Sequence, residues 1–241
     1  MAGLDILSTR TGGAAENMAL DFLLLQRAPP PVAARFRHYE WRAPAFTFGY
    51  SQKIEFIRAR LPAGGPFDLC RRPTGGGLVD HRDDWTYTLI FPRGHAWEEM
   101  SAVQCYREVH ECLAGALGAQ GVPAQVQPRA PLPAETGDEP AGPAGICFQR
   151  AEIYDVVHTG TGEKIAGAAQ KRNKRGLLMQ GSIWRPAAGA VDWDRFGDEF
   201  AARISAALHG PACPAPWPEL DETEVSGLTE QYSSPEWMEH R

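Results

Sequence analysis

Arg71-Arg72-Pro73-Thr74-Gly75-Gly76-Gly77-Leu78-Val79-Asp80-His81 is the stretch from which the rest of the chain is read. Three consecutive glycines carry no Cβ, so their amides can turn toward a ligand and approach it closely, and two arginines set fixed positive charge beside them. Such a turn suits an oxyanion or a carbonyl. A bare triple glycine is also what an ordinary loop contains, but here both flanks are strand-like. Phe67 to Arg72 leads in, and Trp85 to Phe91 leads out with Trp85, Tyr87, Leu89 and Phe91 alternating onto one face. The turn is expected to be held between two strands.

Outward from this centre, Glu16 to Gln26 is apolar on nearly every side and reads as a buried helix, capped near Asn17 and ended by Pro29-Pro30-Pro31. Arg35 to Trp41 and Ala45 to Gly49 are short aromatic-rich strands. Ser101 to Ala119 carries Val103, Tyr106, Val109, Leu113, Ala116 and Leu117 at helical spacing, with Ser101 and Gln104 as a capping box and Gly121 past the end. Pro128 to Gly145 is too rich in proline, alanine and glycine to bury much apolar surface and is expected to be a mobile loop. Strands resume at Ile153 to Val157, Lys164 to Ala169 and Leu177 to Trp184. Asp192 to Leu208 places Trp193, Phe196, Phe200, Ile204 and Leu208 along one helical face, with Asp192 or Asp194 at its cap. Pro211 to Pro218 reads as a second proline-rich break, and the tail from Glu219 as a short helix anchored by Leu228, Tyr232 and Trp237. The order of helices and strands predicts an α+β domain, a mixed or antiparallel sheet covered by helices.

Composition narrows the function. With 43% hydrophobic and 22% charged residues, the 241-residue chain has an ordinary globular balance and room for a sizeable core. A net charge of −6 gives no footprint for nucleic acid or for an anionic membrane, although basic clusters remain at Arg71-Arg72 and Lys171 to Arg175. No apolar run approaches the roughly 20 residues that span a bilayer, and Met1 to Arg10 lacks the basic-then-apolar pattern of a secretory signal. Five cysteines at 70, 105, 112, 147 and 213 show no Cys-x-x-Cys spacing, which predicts a reducing cytoplasm and no metal site.

Cys147 ends the proline-rich loop and precedes Tyr154-Asp155, so its thiol can stand at the lip of a pocket, with Lys164, Arg71 or Arg72 favouring the thiolate. A lone cysteine is otherwise an inert core residue, as Cys105 and Cys112 are expected to be. Lys164, between glycine-containing segments, can place its ammonium on an acyl carbonyl or a phosphate, or be a solvated strand-end lysine. His81 can orient Cys147, accept its proton, or brace the loop through backbone bonds, the last being preferred. The basic turn Lys171 to Gly176 is a solvated face or a steering patch for an acidic partner.

Three blocks in order carry a resemblance: Arg71 to His81 followed by Trp85-Thr86-Tyr87-Thr88, then Gly162 to Arg172, then Leu178 to Ile183. Together they resemble the biotin/lipoate protein ligase and lipoyl/octanoyl transferase superfamily, from about Asn17 to Trp184 with a weaker echo in Leu228 to Trp237. Cys147-Phe148, Tyr154-Asp155 and Lys164-x-x-Gly167-x-Ala169-Gln170 look like its cysteine-dependent octanoyltransferase branch. The resemblance implies a class II synthetase-like fold, with residues 1–210 as the catalytic domain, 128–145 as its mobile loop, and 211–241 as a break and tail packed on the same domain. It implies Cys147 and Lys164 as catalytic residues, and Arg71, Arg72, Gly75, Gly76, Gly77, His81, Gly167 and Ala168 as binding the acyl carbonyl.

The implied reaction moves octanoyl or lipoyl from octanoyl-acyl carrier protein or an octanoylated protein onto a lysine of a lipoyl-domain protein, without a cofactor. Burying six or seven methylenes of an octanoyl chain is worth on the order of 5 kcal/mol, so such residues as Leu78, Val79, Leu89 and Ile165 are expected to line an acyl tunnel. One alternative is a ligase that uses ATP and Mg and proceeds through lipoyl-adenylate; another is a non-catalytic acyl-binding scaffold. The ligase branch typically has Asp-x-Gly-Asn after the histidine, where this chain has Arg82-Asp83-Asp84-Trp85. The stretch from Leu208 to Leu228 is also shorter than in the octanoyltransferases.

Overall fold

The computed structural model describes residues 3–27, 33–128 and 151–240; Cys147 and all but the first residue of the 128–145 loop lie outside them. The first strand, β1 (Leu4–Gly12), leads through Gly13 into helix α1 (Ala14–Gln26). Met18, Ala19, Leu20, Leu23, Leu24 and Leu25 are all buried, which is why the helix is apolar on most sides. Its start differs from the expectation at Asn17. The cap is Gly13, whose N–H meets the Glu16 carboxylate at 3.2 Å. Asn17 lies inside the helix, where its amide donates to the carbonyls of Gly12 and Glu40 and accepts from Arg37 at 2.8 Å. The asparagine serves a tertiary contact in place of a cap.

The main sheet runs β11 (Ala212–Ala215), β1, β2 (Ala34–Trp41), β6 (Asp84–Pro92), β10 (Gly176–Trp184), β9 (Lys164–Asn173), β8 (Val156–His158), β7 (Ala124–Val126). It is mixed. β1 pairs in parallel with β2 and β11, and the remaining neighbours are antiparallel. Every residue of β6 is buried, as is all of β10 except Trp184. On one face Trp85, Tyr87, Leu89 and Phe91 pack against α4 (Ala102–Gly118) and α6 (Trp193–Ala207) through Val109, Leu113, Phe196 and Phe200. On the other face Ile90 and Leu178 meet Leu24 and Leu25 of α1.

A second, smaller sheet puts β3 (Ala45–Phe48) between β4 (Asp68–Arg71), parallel to it, and β5 (Val79–Asp80), antiparallel. The glycine turn therefore joins β4 to β5, a two-residue strand not expected from the sequence, before the chain enters β6. Short helices α2 (Ile54–Arg58), α3 (Ala96–Glu99) and α5 (Arg185–Ala188) complete the connections.

The capping box of α4 forms as expected, Ser101 Oγ accepting from Gln104 N and Gln104 Oε1 from Ser101 N, and Gly121 takes a positive φ of 82° just beyond. Asp192 caps α6. The strand expected from Ile153 begins only at Val156, because Tyr154 turns the backbone with φ 67°. The proline-rich stretch after Pro211 contains β11. Pro214 is tolerated because β11 is an edge strand with one partner. Two helices end the described chain, α7 (Glu222–Ser233), packed along α1, and α8 (Pro235–Met238). Tyr232 is buried among Ala14, Met18, Ala45 and Cys70. Among the described residues no helix is long and apolar enough to cross a membrane.

Candidate active site

The glycine turn, α1, β2, β9 and β10 enclose a cavity of about 500 Å³, its open mouth included. Of the residues expected at the site, Arg72, Gly76, His81, Lys164, Gly167 and Ala168 line it. Of the apolar residues expected in a tunnel, Val79 lines it. Leu78 instead packs with Phe46, Ile54 and Ile57 under the small sheet, and Leu89 and Ile165 sit in the main core. Met18 and Tyr39 supply apolar wall that the sequence did not single out.

The turn is held by its own arginine. Arg72 donates from Nη2 to the carbonyls of Gly75 at 2.7 Å and Gly77 at 2.8 Å, and from Nη1 to Thr47 Oγ1 at 3.1 Å. Gly76 has φ 86°, and a Cβ there would come within 2.7 Å of Arg72 Nη2, so this position requires glycine. Arg71, in contrast, does not line the cavity. It is fully buried and its guanidinium reaches the carbonyls of Tyr50, Gln52, Trp237 and Met238. Adjacent residues of an extended chain face opposite ways, so one arginine of the pair points at the turn and the other away from it.

His81 is held through a backbone bond, its N–H donating to the Ala45 carbonyl at 2.9 Å, and also through its side chain. Its Nδ1 lies 2.7 Å from Asp84 Oδ2 and its Nε2 2.7 Å from Thr47 Oγ1, with the Trp41 ring stacked on it at 4.1 Å. Asp84 can only accept here, so Nδ1 carries the proton that it shares with the carboxylate. The same Asp84 oxygen accepts from the hydroxyls of Thr86 and Ser182. The sequence marked Asp84 only as part of the run after the histidine, without a role, though a carboxylate three residues after the histidine was a usable signal.

Lys164 approaches the cavity from the first position of β9, with Nζ 2.7 Å from Asp155 Oδ2. That carboxylate is 1% exposed. It also accepts from the Glu152 amide at 2.7 Å and from the Tyr106 phenol, and the phenol oxygen in turn accepts from the Ala168 N–H at 3.0 Å. Burial and the adjacent Asp155 push the Tyr106 pKa well above the ordinary phenol value, so it stays a donor. Gly167 leaves space for the lysine: a Cβ there would lie 2.8 Å from both Cε and Nζ. Tyr106 was missed because its helical spacing marked it as a packing residue.

The cavity wall is tied to α1 by a buried polar chain. Thr74 Oγ1 donates to Gln180 Oε1 at 2.8 Å, and Gln180 Nε2 donates to Asp21 Oδ2 at 2.7 Å. Asp21 pairs with Arg37 at 3.3 Å, both side chains wholly buried. Burial raises the Asp21 pKa, an effect that the Arg37 charge opposes. Burial also pushes the thiols of Cys70 and Cys105 up to about 12 and that of Cys112 up to about 11, so these three are inert thiols at neutral pH. Among the described residues no cluster of three or more His, Cys, Asp or Glu side chains is placed to hold a metal ion.

Comparison with known proteins agrees with this architecture. A sequence profile of the lipoyl protein ligase A/B catalytic domain matches residues 13–185. Octanoyltransferase LipM of Bacillus cereus is 34% identical over 174 residues, covering 69% of this chain and 60% of the relative. Octanoyltransferase LipM of Macrococcus caseolyticus is 34% identical over 191 residues, covering 76% of this chain and 65% of the relative. The chain thus spans less than two thirds of the length of these relatives. Among solved structures, lipoate-protein ligase A bound with ATP superposes with a TM-score of 0.72 at 18% identity, covering 99% of this chain and 98% of that one. A structure from a study of the bipartite lipoate protein ligase and its E2 lipoyl domain of Thermoplasma acidophilum gives a TM-score of 0.72 at 18% identity, covering 98% of this chain and 96% of that one. These two likenesses show a shared fold, a mixed sheet covered by helices. With more than half of its length matched by that profile, the chain belongs to the lipoyl protein ligase A/B catalytic-domain family.

Proposed function

We propose that the protein transfers an octanoyl group from a thioester donor, octanoyl-acyl carrier protein or an octanoylated protein, onto a lysine of a lipoyl-domain protein by way of a thioester on Cys147. The observation that carries this reading is Lys164, clamped by Asp155 at the wall of a cavity lined in part by Met18, Tyr39 and Val79. Similarity to two octanoyltransferases supports the acyl group. Cys147 is assigned as the nucleophile from its resemblance to the cysteine of the octanoyltransferase branch, and burial that keeps Cys70, Cys105 and Cys112 protonated is consistent with that assignment.

The Cys147 thiolate attacks the donor carbonyl, and the carrier leaves as its thiolate. Lys164 stabilises the tetrahedral oxyanion. The neutral acceptor amine then attacks the acyl-Cys147 carbonyl, its carbon–nitrogen bond replaces the carbon–sulfur bond, and the amine proton passes to the departing sulfur. Arg72, Gly76 and His81 shape the carbonyl end, and Gly167 and Ala168 form the β9 side. A thioester donor is already activated, so neither nucleotide nor metal is required. The reaction belongs in the cytoplasm, where thiols stay reduced.

Incubation with octanoyl-acyl carrier protein without ATP, read by intact mass, tests the proposal. An adduct of one octanoyl group is expected, absent in Cys147→Ser and retained when Cys70, Cys105, Cys112 or Cys213 is changed to Ala. Lipoate-dependent ATP–pyrophosphate exchange, with no adduct from the carrier protein, would identify an adenylating ligase instead.

A further inference from the structure

Arg71 joins two segments far apart in sequence. Nη1 donates to the carbonyls of Tyr50 and Gln52 at 2.7 Å each, in the loop leaving β3. Nε donates to the Trp237 carbonyl at 3.0 Å and Nη2 to that of Met238 at 2.7 Å, both in α8. Trp237 returns a bond, its indole N–H donating to the Arg71 carbonyl at 2.7 Å. A guanidinium is a rigid planar fork, so carbonyls seated on its donors are fixed in relative position; an ammonium has no such fork.

The loop side of this junction leads directly to the cavity. The Tyr50 N–H donates to the Thr74 carbonyl at 2.8 Å, and a methyl built on Gly49 would overlap the Gly76 carbonyl oxygen. Gly76 lines the cavity. On the tail side, Ser234 caps α8 by accepting from the Trp237 N–H, and the Tyr232 and Trp237 rings meet edge to face at 4.8 Å. The tail helices fall outside residues 13–185, the part matched to the family.

We infer that α7 and α8 are a working part of the catalytic centre, with Arg71 as the positioning residue through which they set the shape of the glycine turn. The first arginine of the pair holds the tail to the turn, and the second holds the turn to itself. Loosening α8 therefore deforms the carbonyl end of the cavity without touching a residue that lines it. The catalytic consequence rests on the acyl-transfer reading; the structural consequence does not.

Two measurements on the full chain separate these. In amide hydrogen exchange, W237F, which removes the indole donor and keeps a ring, and R71K, which keeps the charge and loses the fork, are expected to speed exchange at Tyr50 and Gly75 to Gly77 by about tenfold, with the β9 and β10 amides unchanged. Octanoyl transfer by both variants is expected to fall about tenfold in kcat, with KM for the donor within twofold of wild type. S234A, which weakens α8 without touching Arg71, is expected to move both readouts in the same direction by less. Should R71K fail to fold, W237F decides alone. Faster exchange confined to residues 222–240, with the glycine-turn amides at the wild-type rate, would overturn the inference. Absence of transfer by the unmodified chain would count against the acyl-transfer reading, and the exchange result would still decide the coupling.

Discussion

Asp155 holds the Lys164 ammonium at 2.7 Å from a carboxylate that is almost wholly buried, so the lysine enters the cavity already oriented. A cation aimed at a developing oxyanion in such a site is worth about 3 kcal/mol of transition-state stabilisation. Lys164→Ala is therefore expected to slow octanoyl transfer on the order of 100-fold or more. Turnover at the wild-type rate in a folded Lys164→Ala protein would remove the lysine from the mechanism.

Tyr106 offers a milder test of the same clamp. Its phenol donates to Asp155 and accepts from the Ala168 N–H. Tyr106→Phe leaves both groups short of one partner at a cost of about 1–3 kcal/mol each. A lower denaturation midpoint is expected together with a several-fold drop in kcat, larger than the loss of folded fraction accounts for. Circular dichroism and steady-state transfer on one preparation would measure both.

Gly167→Ala puts a methyl 2.8 Å from the Lys164 Cε and Nζ, and 3.1 Å from Asp155 Oδ1. The lysine side chain must move, since the Cβ is fixed to a paired strand. The expected result is a folded protein with transfer reduced by about tenfold or more. A crystal structure of the variant should show Nζ displaced from Asp155.

His110 gives a pH signature. It is fully buried, its Nδ1 donating to the Tyr154 carbonyl at 2.6 Å, and burial lowers its pKa from 6.5 to about 4. The unfolded chain takes up this proton below about pH 6.5 and the folded chain only below about pH 4. Stability from this residue is thus complete above pH 6.5 and lost as pH falls toward 4, by about 3 kcal/mol. Burial lowers the His38 and His95 pKa values as well, and their contribution is common to both chains in a comparison. Unfolding free energies from urea titrations at pH 7.5 and 4.5 should differ less in His110→Gln than in the wild type by about 2 kcal/mol.

What could be read from the sequence was what local spacing encodes. The alternation in Trp85 to Phe91 gave β6, and Ser101 with Gln104 gave the start of α4, because each is settled within a few residues. β1 and β11 were not legible, since each owes its strand conformation to pairing with the other and β1 also with β2. At the site, the glycine turn and Lys164 stood out by residue type. Asp84 and Asp155 stood there only within longer stretches, without their roles beside His81 and Lys164, because a buried carboxylate is recognised by what it accepts from, and hydroxyls on β6, β10 and α4 have no sequence periodicity that points to it. Arg71 and Arg72 look alike in sequence; only the backbone direction tells that they face different neighbours.

Pairing of Leu4 with Ala212 and Leu7 with Ala215 closes one edge of the main sheet across more than 200 residues of chain. A ribosome extending this polypeptide must release residues 212–215 before that edge can be covered. Until then β1 has β2 on one side and exposed backbone amides and carbonyls on the other. Contacts of such separation in sequence are the slow ones in folding. The nascent protein thus carries an open strand until residues 212–215 are made, and proline at 214 limits how far the covering strand can itself recruit a further neighbour.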